Sequence, residues 1–318
     1  MKFAWLPALL LTCVASAQEG PLETRIHRAI DLPFLRIDPR GDVLGKGTQS
    51  LSVSLTSAND LRSMSSQAGA LFEDYEVERF LVRYRKGLGN GFDYTIDLPV
   101  VDRGGGFMDP FIEFWHQHVL GIHGNIRDNI PYGQSQVNLP DGSRYSSAFG
   151  IGDLSGAITK QVSSGLQVTT AVKVPTGNAG ALIGSGAFDA ALSLEDRFHL
   201  TSRWDLYVQL GEVFQGKATS LANSRPWVHQ ESLSLVKHAN RWDDWIIQWE
   251  SEASAIVTGI AGSDSSQRSL SLAYRRKWKD HSIEAFFTED GDWLNFRVPE
   301  LVNIAPDFTI GVHYNLFF

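Results

Sequence analysis

Apolar side chains recur at every second position in a series of short stretches along this chain, with polar residues between them. The clearest stretch is the last, where Phe308, Ile310, Val312, Tyr314, Leu316 and Phe318 alternate with Asp307, Thr309, Gly311, His313, Asn315 and Phe317. Others begin at Leu51, Phe80, Phe92, Leu166, Phe188, Trp204, Leu233, Trp245, Leu270 and Ile283. A glycine-interrupted version spans 149–162. Strict alternation marks a strand with two unlike faces, and about twelve such strands are expected.

The connections carry a second pattern. Those near 87–90, 163–165, 197–201, 239–242 and 278–280 are short and polar, whereas those near 58–76, 100–148, 175–185, 213–229, 252–267 and 290–306 are long. Alternating short and long connections with an even strand count are expected of an outer-membrane barrel, whose periplasmic turns are tight and whose outer loops are long. A strand exposed to hydrocarbon needs every backbone group paired, and only a closed sheet provides that. The reading is therefore all-β: a transmembrane antiparallel up-and-down β-barrel of about 12 strands, in a range of about 10–14, with one short helix in a long loop. Pairing Phe80, Val82 and Tyr84 with Ile96, Tyr94 and Phe92 would set Arg79 against Asp97 and Arg83 against Asp93, charges facing charges on the inner side. Trp204, Trp245, Tyr94, Tyr274 and Phe318 fall toward strand ends, as interfacial aromatics do.

The first residues have Lys2, an apolar run to Val14 and a small-residue site at Ala15–Ala17, so residues 1–17 read as a cleaved secretory signal peptide. The organisation expected is this signal, an N-terminal periplasmic or lumenal segment over 18–47, and a barrel over 48–318 with the long loop 100–148. The only cysteine, Cys13, lies in the signal, so no disulfide or thiolate chemistry is expected beyond it. Without Lys2 the balance is 27 basic against 36 acidic residues, a charge of −9, which gives no footing for nucleic acid.

Two resemblances sharpen this reading. Ile310, Val312, Tyr314, Leu316 and Phe318 resemble the C-terminal recognition signal of Gram-negative outer-membrane proteins, which implies a Gram-negative outer membrane and the barrel-assembly machinery as a partner. The stretch DYTIDLPVVDRGGGFMDPFIEFWHQHVLGIHGNIRDN, with GIGDLSGAI and KVPTGNAGALIGSGAFDAAL after it, resembles the bacterial outer-membrane barrels catalogued as domain of unknown function 3187. That resemblance covers about Phe34 to Phe318 and implies fold and location, not an activity.

Candidate chemistry is sparse. In MDPFIEFWHQHVLG, Asp109 reads as an N-cap and Pro110 as the first helical position of an amphipathic helix packed in the barrel mouth. Glu113 and His116 share a face while His118 points elsewhere, so no metal site is expected. His229 with Ser232, or His238 with Ser234, could suggest a lipid-hydrolysing pair, but no orienting residue and no G-x-S-x-G accompany them. GGG at 104–106 and GNAGALIGSG at 178–187 lack the Lys-Ser/Thr of a phosphate loop, so no nucleotide or other cofactor is expected. What remains is the inward polar set Arg79, Arg83, Asp93, Asp97, Asp205, Gln209, Gln248 and Glu250, as selectivity candidates for a passive small-solute channel. The long loop 100–148 is then the expected gate or plug. A lipid-modifying enzyme or a structural, surface-binding barrel is the alternative.

Overall fold

The computed structural model describes residues 20–115, 117, 118, 130–290 and 308–318. The proposed signal peptide lies outside them. Twelve antiparallel strands close on themselves: β1 Gln49–Ser66, β2 Gly69–Gly89, β3 Phe92–Gly104, β4 Leu154–Gln161, β5 Gln167–Val174, β6 Asp189–Thr201, β7 Trp204–Gln215, β8 Trp227–His238, β9 Asp243–Glu252, β10 Gln267–Lys277, β11 His281–Asp290 and β12 Phe308–Phe317. Each pairs with its sequence neighbours, and β12 pairs with β1 from Ser50↔Phe317 to Asn59↔Phe308. The seam continues through Phe318, whose N–H and C=O bond Gln49 at 3.0 and 2.9 Å.

Outward positions are apolar and open, as with Leu55 at 55% and Val312 at 50% exposure, while the positions between them are buried in the interior. Oil faces out and polar groups face in, the order that a bilayer requires. At the short-turn end Tyr84 meets Tyr94 with ring centroids 6.0 Å apart and Trp245 meets Tyr274 at 5.0 Å. At the other end Phe214 meets Trp227 at 3.7 Å. These form aromatic bands at headgroup level on the two sides.

Several sequence expectations need correction. The register of β2 and β3 is displaced by four residues from the expected one: Arg83 faces Asp97, Tyr84 faces Ile96, and Arg79 faces Val101. The turn is Asn90–Gly91, both at positive φ (53° and 72°), the geometry of a two-residue hairpin turn, with an irregularity between Gly87 and Gly89. A shift of four keeps every side chain on its face, so the two-faced reading survives while the charge partners change. The turn expected near 197–201 lies at 202–203, since β6 runs on to Thr201.

The connection expected over 58–76 is not a loop. β1 and β2 stay paired without a break from Gln49↔Lys86 to Ser66↔Gly69, so their hairpin extends past the apolar belt and leaves a two-residue tip. The segment read as loop from residue 100 begins as strand, to Gly104. Beyond it lie α1, Asp109–Trp115, and the short strands Gln136–Asn138, Arg144–Tyr145 and Ala148–Ile151. The last pairs with the upper half of β3 and β4 with the lower half, and the one-residue change of register at Gly152–Asp153 swaps which positions face out.

Candidate functional site: the occupied lumen

Residues 20–48 have no helix or strand before Gln49, yet most of them are buried. They run inside the barrel. Leu22 packs with Val236, Ile246 and Ala273 of the inner wall, whereas Ala29, Ile30 and Phe34 pack with Leu71, Tyr75, Val137, Leu182, Leu221 and Ile256 toward the long-loop end. The segment thus climbs the lumen, reverses over 28–34 and descends past Leu35 and Ile37 to the short-turn end. The reversal is closed by the Leu32 N–H on the Arg28 carbonyl at 2.9 Å and by Arg25, whose guanidinium donates to the carbonyls of Asp31, Leu32 and Phe34 at 3.1, 3.4 and 3.2 Å.

A buried backbone without secondary structure must find other partners, and here wall side chains supply them. Gln248 accepts from the Leu22 N–H at 3.0 Å and donates to the Leu22 carbonyl at 2.9 Å, as a neighbouring strand would. Gln230 accepts from the Ile37 N–H at 3.2 Å and Gln209 donates to the Asp38 carbonyl at 3.3 Å. Carboxylates hold three more amides: Asp189 that of Leu35 at 2.9 Å, Glu195 that of Arg40 at 2.7 Å, and Asp93 that of Leu44 at 3.0 Å. Arg275 donates to the carbonyls of Gly20 and Pro21 at 2.9 and 3.0 Å.

Charges bind the same segment at both ends. Low in the lumen, Arg83 donates to both oxygens of Asp97 and to one oxygen each of Asp38 and Glu23, all at 2.7 Å, and Arg85 donates to Asp93 at 2.7 Å. High in the lumen, Arg28 bonds Glu73 at 2.8 Å and Ser263 Oγ at 2.8 Å, while Tyr75 accepts from the Ala29 N–H and donates to Asp60, both at 2.7 Å. The long β1–β2 hairpin therefore leans over the mouth and grips the tip of the segment. The inner ends of the loops after β5, β7 and β9 close over the same tip, through Leu182, Leu221 and Ile256.

Of the inward set proposed from sequence, Arg83, Asp93, Gln209 and Gln248 thus hold the chain's own N-terminal segment, and Asp97 holds Arg83. Asp205 binds wall histidines, His199 at 2.7 Å and His238 at 3.4 Å. Glu250 lines a small cavity with Arg36, Ile37, Asp38 and Gln230. Arg79 has no hydrogen-bond or ion-pair partner among the described residues. It lines a cavity of about 40 Å³ with Arg25, Arg36, Asp38, Asp97 and Lys173, room for a few waters at about 10–15 Å³ each. Sequence reasoning missed Gln230, Glu195, Asp189 and Lys173, whose inward parity could have found them. Lys173 is buried between Asp153 at 2.6 Å and Asp189 at 3.1 Å, and donates to the Pro33 carbonyl at 2.9 Å.

His229 is exposed on the outside of β8 and Ser232 is buried inside it, so that pair cannot meet. Ser234 bonds Gln248 at 2.6 Å and His238 bonds Asp244 at 2.8 Å. In α1, Glu113 pairs with Gln117 and the His118 ring stacks on Phe114, while His116 lies outside the described residues. The helix is not in the mouth. Phe111 and Trp115 pack on Phe308 and Phe287, both on the outer face of the wall. Its cap also shifts by one residue: the Ile112 N–H goes to the Met108 carbonyl at 2.9 Å, and the Asp109 carboxylate accepts from Asn59 and the Gly133 N–H at 2.9 and 2.8 Å.

Among solved structures, the chain is similar to the COG4313 outer membrane channel from Pseudomonas putida F1, with TM-score 0.56 and 12% identity over 87% of this chain and 97% of that one. The NanC porin (TM-score 0.45, 6% identity, 84% and 98% covered) and the CymD monoaromatic hydrocarbon channel (0.42, 10%, 86% and 89%) are more distant. At 12% identity the first likeness establishes the outer-membrane barrel fold alone. No curated protein matches the sequence significantly. Residues 40–290, from the descending arm of the lumen segment through β11, match the model of the family described as "Protein of unknown function (DUF3187)", and the chain belongs to that family.

Proposed function

We propose that this barrel is a channel for small solutes whose resting state is shut by its own N-terminal segment, and that it conducts when residues 20–44 leave the wall. The observation that carries this reading is the bonding of residues 20–44: side chains hold them to the wall, main-chain bonds to β2 begin only at Gly47 and Thr48 with Gly87, and their removal leaves all twelve strands paired. Loop 100–148, expected as gate or plug, contributes to the cover through Val137 and places α1 outside. With the segment withdrawn, Arg79, Arg83, Asp93, Asp97, Asp205, Gln209, Gln248 and Glu250 line the path, and Arg and Asp side by side select by charge only when water passes between them.

The test is conductance in planar bilayers of the full chain and of a variant lacking residues 20–44. Long closed intervals for the full chain and steady conductance for the deletion are expected. A deletion variant that is correctly folded and still closed at every voltage rejects the channel.

A further inference from the structure

We propose that α1 and the residues leading into it form a lipid-docking element, fixed to the outside of the barrel and inserting Phe107, Phe111 and Phe114 among the acyl chains of the outer leaflet. The need for such an element is written in the wall. Outward positions of β1 read Leu51, Val53, Leu55 and then Ser57, Asn59; those of β2 read Tyr84, Val82, Phe80 and then Glu78, Glu76. On these two strands the apolar belt stops and polar groups continue on the same face.

The element lies over that junction. Glu76 accepts from the Phe107 N–H at 3.0 Å and the Met108 N–H at 2.8 Å, Ser57 Oγ meets Met108 Sδ at 3.7 Å, and Asn59 donates to Asp109 at 2.9 Å. Met108 and Ile112 pack on Phe308, which is 5% exposed although the next outward residue of the same strand, Ile310, is 37% exposed. A wall position that would otherwise meet lipid is covered by the helix. The covering surface is itself aromatic: Phe107 is 68% exposed, Phe111 50% and Phe114 54%. Three exposed rings next to an apolar belt are costly in water and favourable at the headgroup and acyl boundary, where short amphipathic elements bind with rings inward. Outer-leaflet lipid is the occupant because this surface continues the belt that the barrel already shows to lipid. The inference is independent of whether the lumen conducts.

The test uses the full chain in nanodiscs, with Cys13→Ser as background and one cysteine introduced at Phe114→Cys, at Phe107→Cys or, as a control, at the exposed loop residue Asp141→Cys. Each is labelled with a polarity-sensitive fluorophore. At positions 107 and 114 we expect a blue-shifted emission, strong quenching by nitroxide-labelled lipid and weak quenching by iodide, with the reverse at 141. Iodide quenching at 107 and 114 equal to that at 141, without lipid quenching, overturns the proposal. So does efficient oxidative cross-linking of Phe114→Cys between two barrels, which would make the surface an interface between copies. Heat-modifiable migration of each variant confirms that it is folded before it is scored.

Discussion

Arg83 of β2 stands directly opposite Asp97 of β3, with two of its N–H groups 2.7 Å from the two carboxylate oxygens, while its remaining donors reach Asp38 and Glu23 of the lumen segment. One guanidinium therefore joins wall to wall and wall to segment. Under the proposed closure, barrel stability and gating should be coupled at this residue.

Replacing Arg83 by alanine leaves three carboxylates buried around an empty place, and breaking a buried ion pair from one side costs about 3–5 kcal/mol. We expect a lowered unfolding temperature and a larger open fraction in bilayers. Arg83→Lys, which keeps the charge without the fork, should fall between the two. Thermal unfolding by heat-modifiable migration, with conductance of the same samples, checks both effects.

Closure should depend on pH through His27. Burial is the first cause and the nearby Arg79 and Arg25 add to it, holding its imidazole well below its ordinary value of 6.5; His313, itself bonded to Glu284, faces it from the wall. A base whose value is depressed in the docked state takes up its proton more readily when released, so the contribution to docking is complete above about pH 6.5 and is lost as pH falls, by about 1.4 kcal/mol per unit. Opening should become more frequent between about pH 7.5 and 5.5, and His27→Leu should flatten that dependence. Conductance across the same pH range is the measurement.

Gln248 imitates a paired strand toward Leu22, and its loss strands one buried N–H and one buried carbonyl. Gln248→Leu should weaken docking of residues 20–24 by about 1–3 kcal/mol; it also removes the Ser234 hydroxyl's acceptor at 2.6 Å, while the main-chain pairing of β8 with β9 stays in place. Hydrogen exchange of the Leu22 amide should speed up, while amides of β9 and β10 stay protected.

Phe318 separates assembly from stability. Its main chain completes the seam with Gln49, but its side chain points outward at 59% exposure. Phe318→Ser should therefore keep the seam bonds and change folded stability by about 1 kcal/mol or less. If the terminal residues act as the assembly signal that they resemble, the variant should accumulate poorly in the outer membrane of cells. Membrane fractionation beside thermal unfolding of refolded protein distinguishes the two effects.

The belt was legible because lipid imposes period two on it, and twelve strands follow from positions such as Val168, Thr170 and Val172. The top of the β1–β2 hairpin was not legible. Above the belt, SANDLRS carries polar groups on both faces, since Asp60 and Arg62 on one face bond Tyr75 and Glu73, which hold the lumen segment, and Asn59 on the other bonds Asp109 of α1, so alternation vanishes although pairing continues. The register error has a similar origin: Asp93 and Asp97 lie four apart and either can face Arg83 from the same side. The dipeptide Asn90–Gly91 would have decided the question through its turn geometry. The inside or outside placement of α1 could not be read from an amphipathic helix alone, because Phe308 offers it an apolar seat on the outer wall as the loop cluster would within the mouth. The inward polar set was visible by parity, but its partner was not, because residues 20–48 have no periodicity of their own.

The most direct test of the central claim, that residues 20–44 close the lumen, is conductance of a Leu22→Cys/Gln248→Cys variant joined by a short cleavable thiol cross-linker. With the segment tethered to β9, openings should disappear, and cleavage of the linker during the same recording should restore them. Solute flux that continues unchanged while the tether is intact would contradict the account.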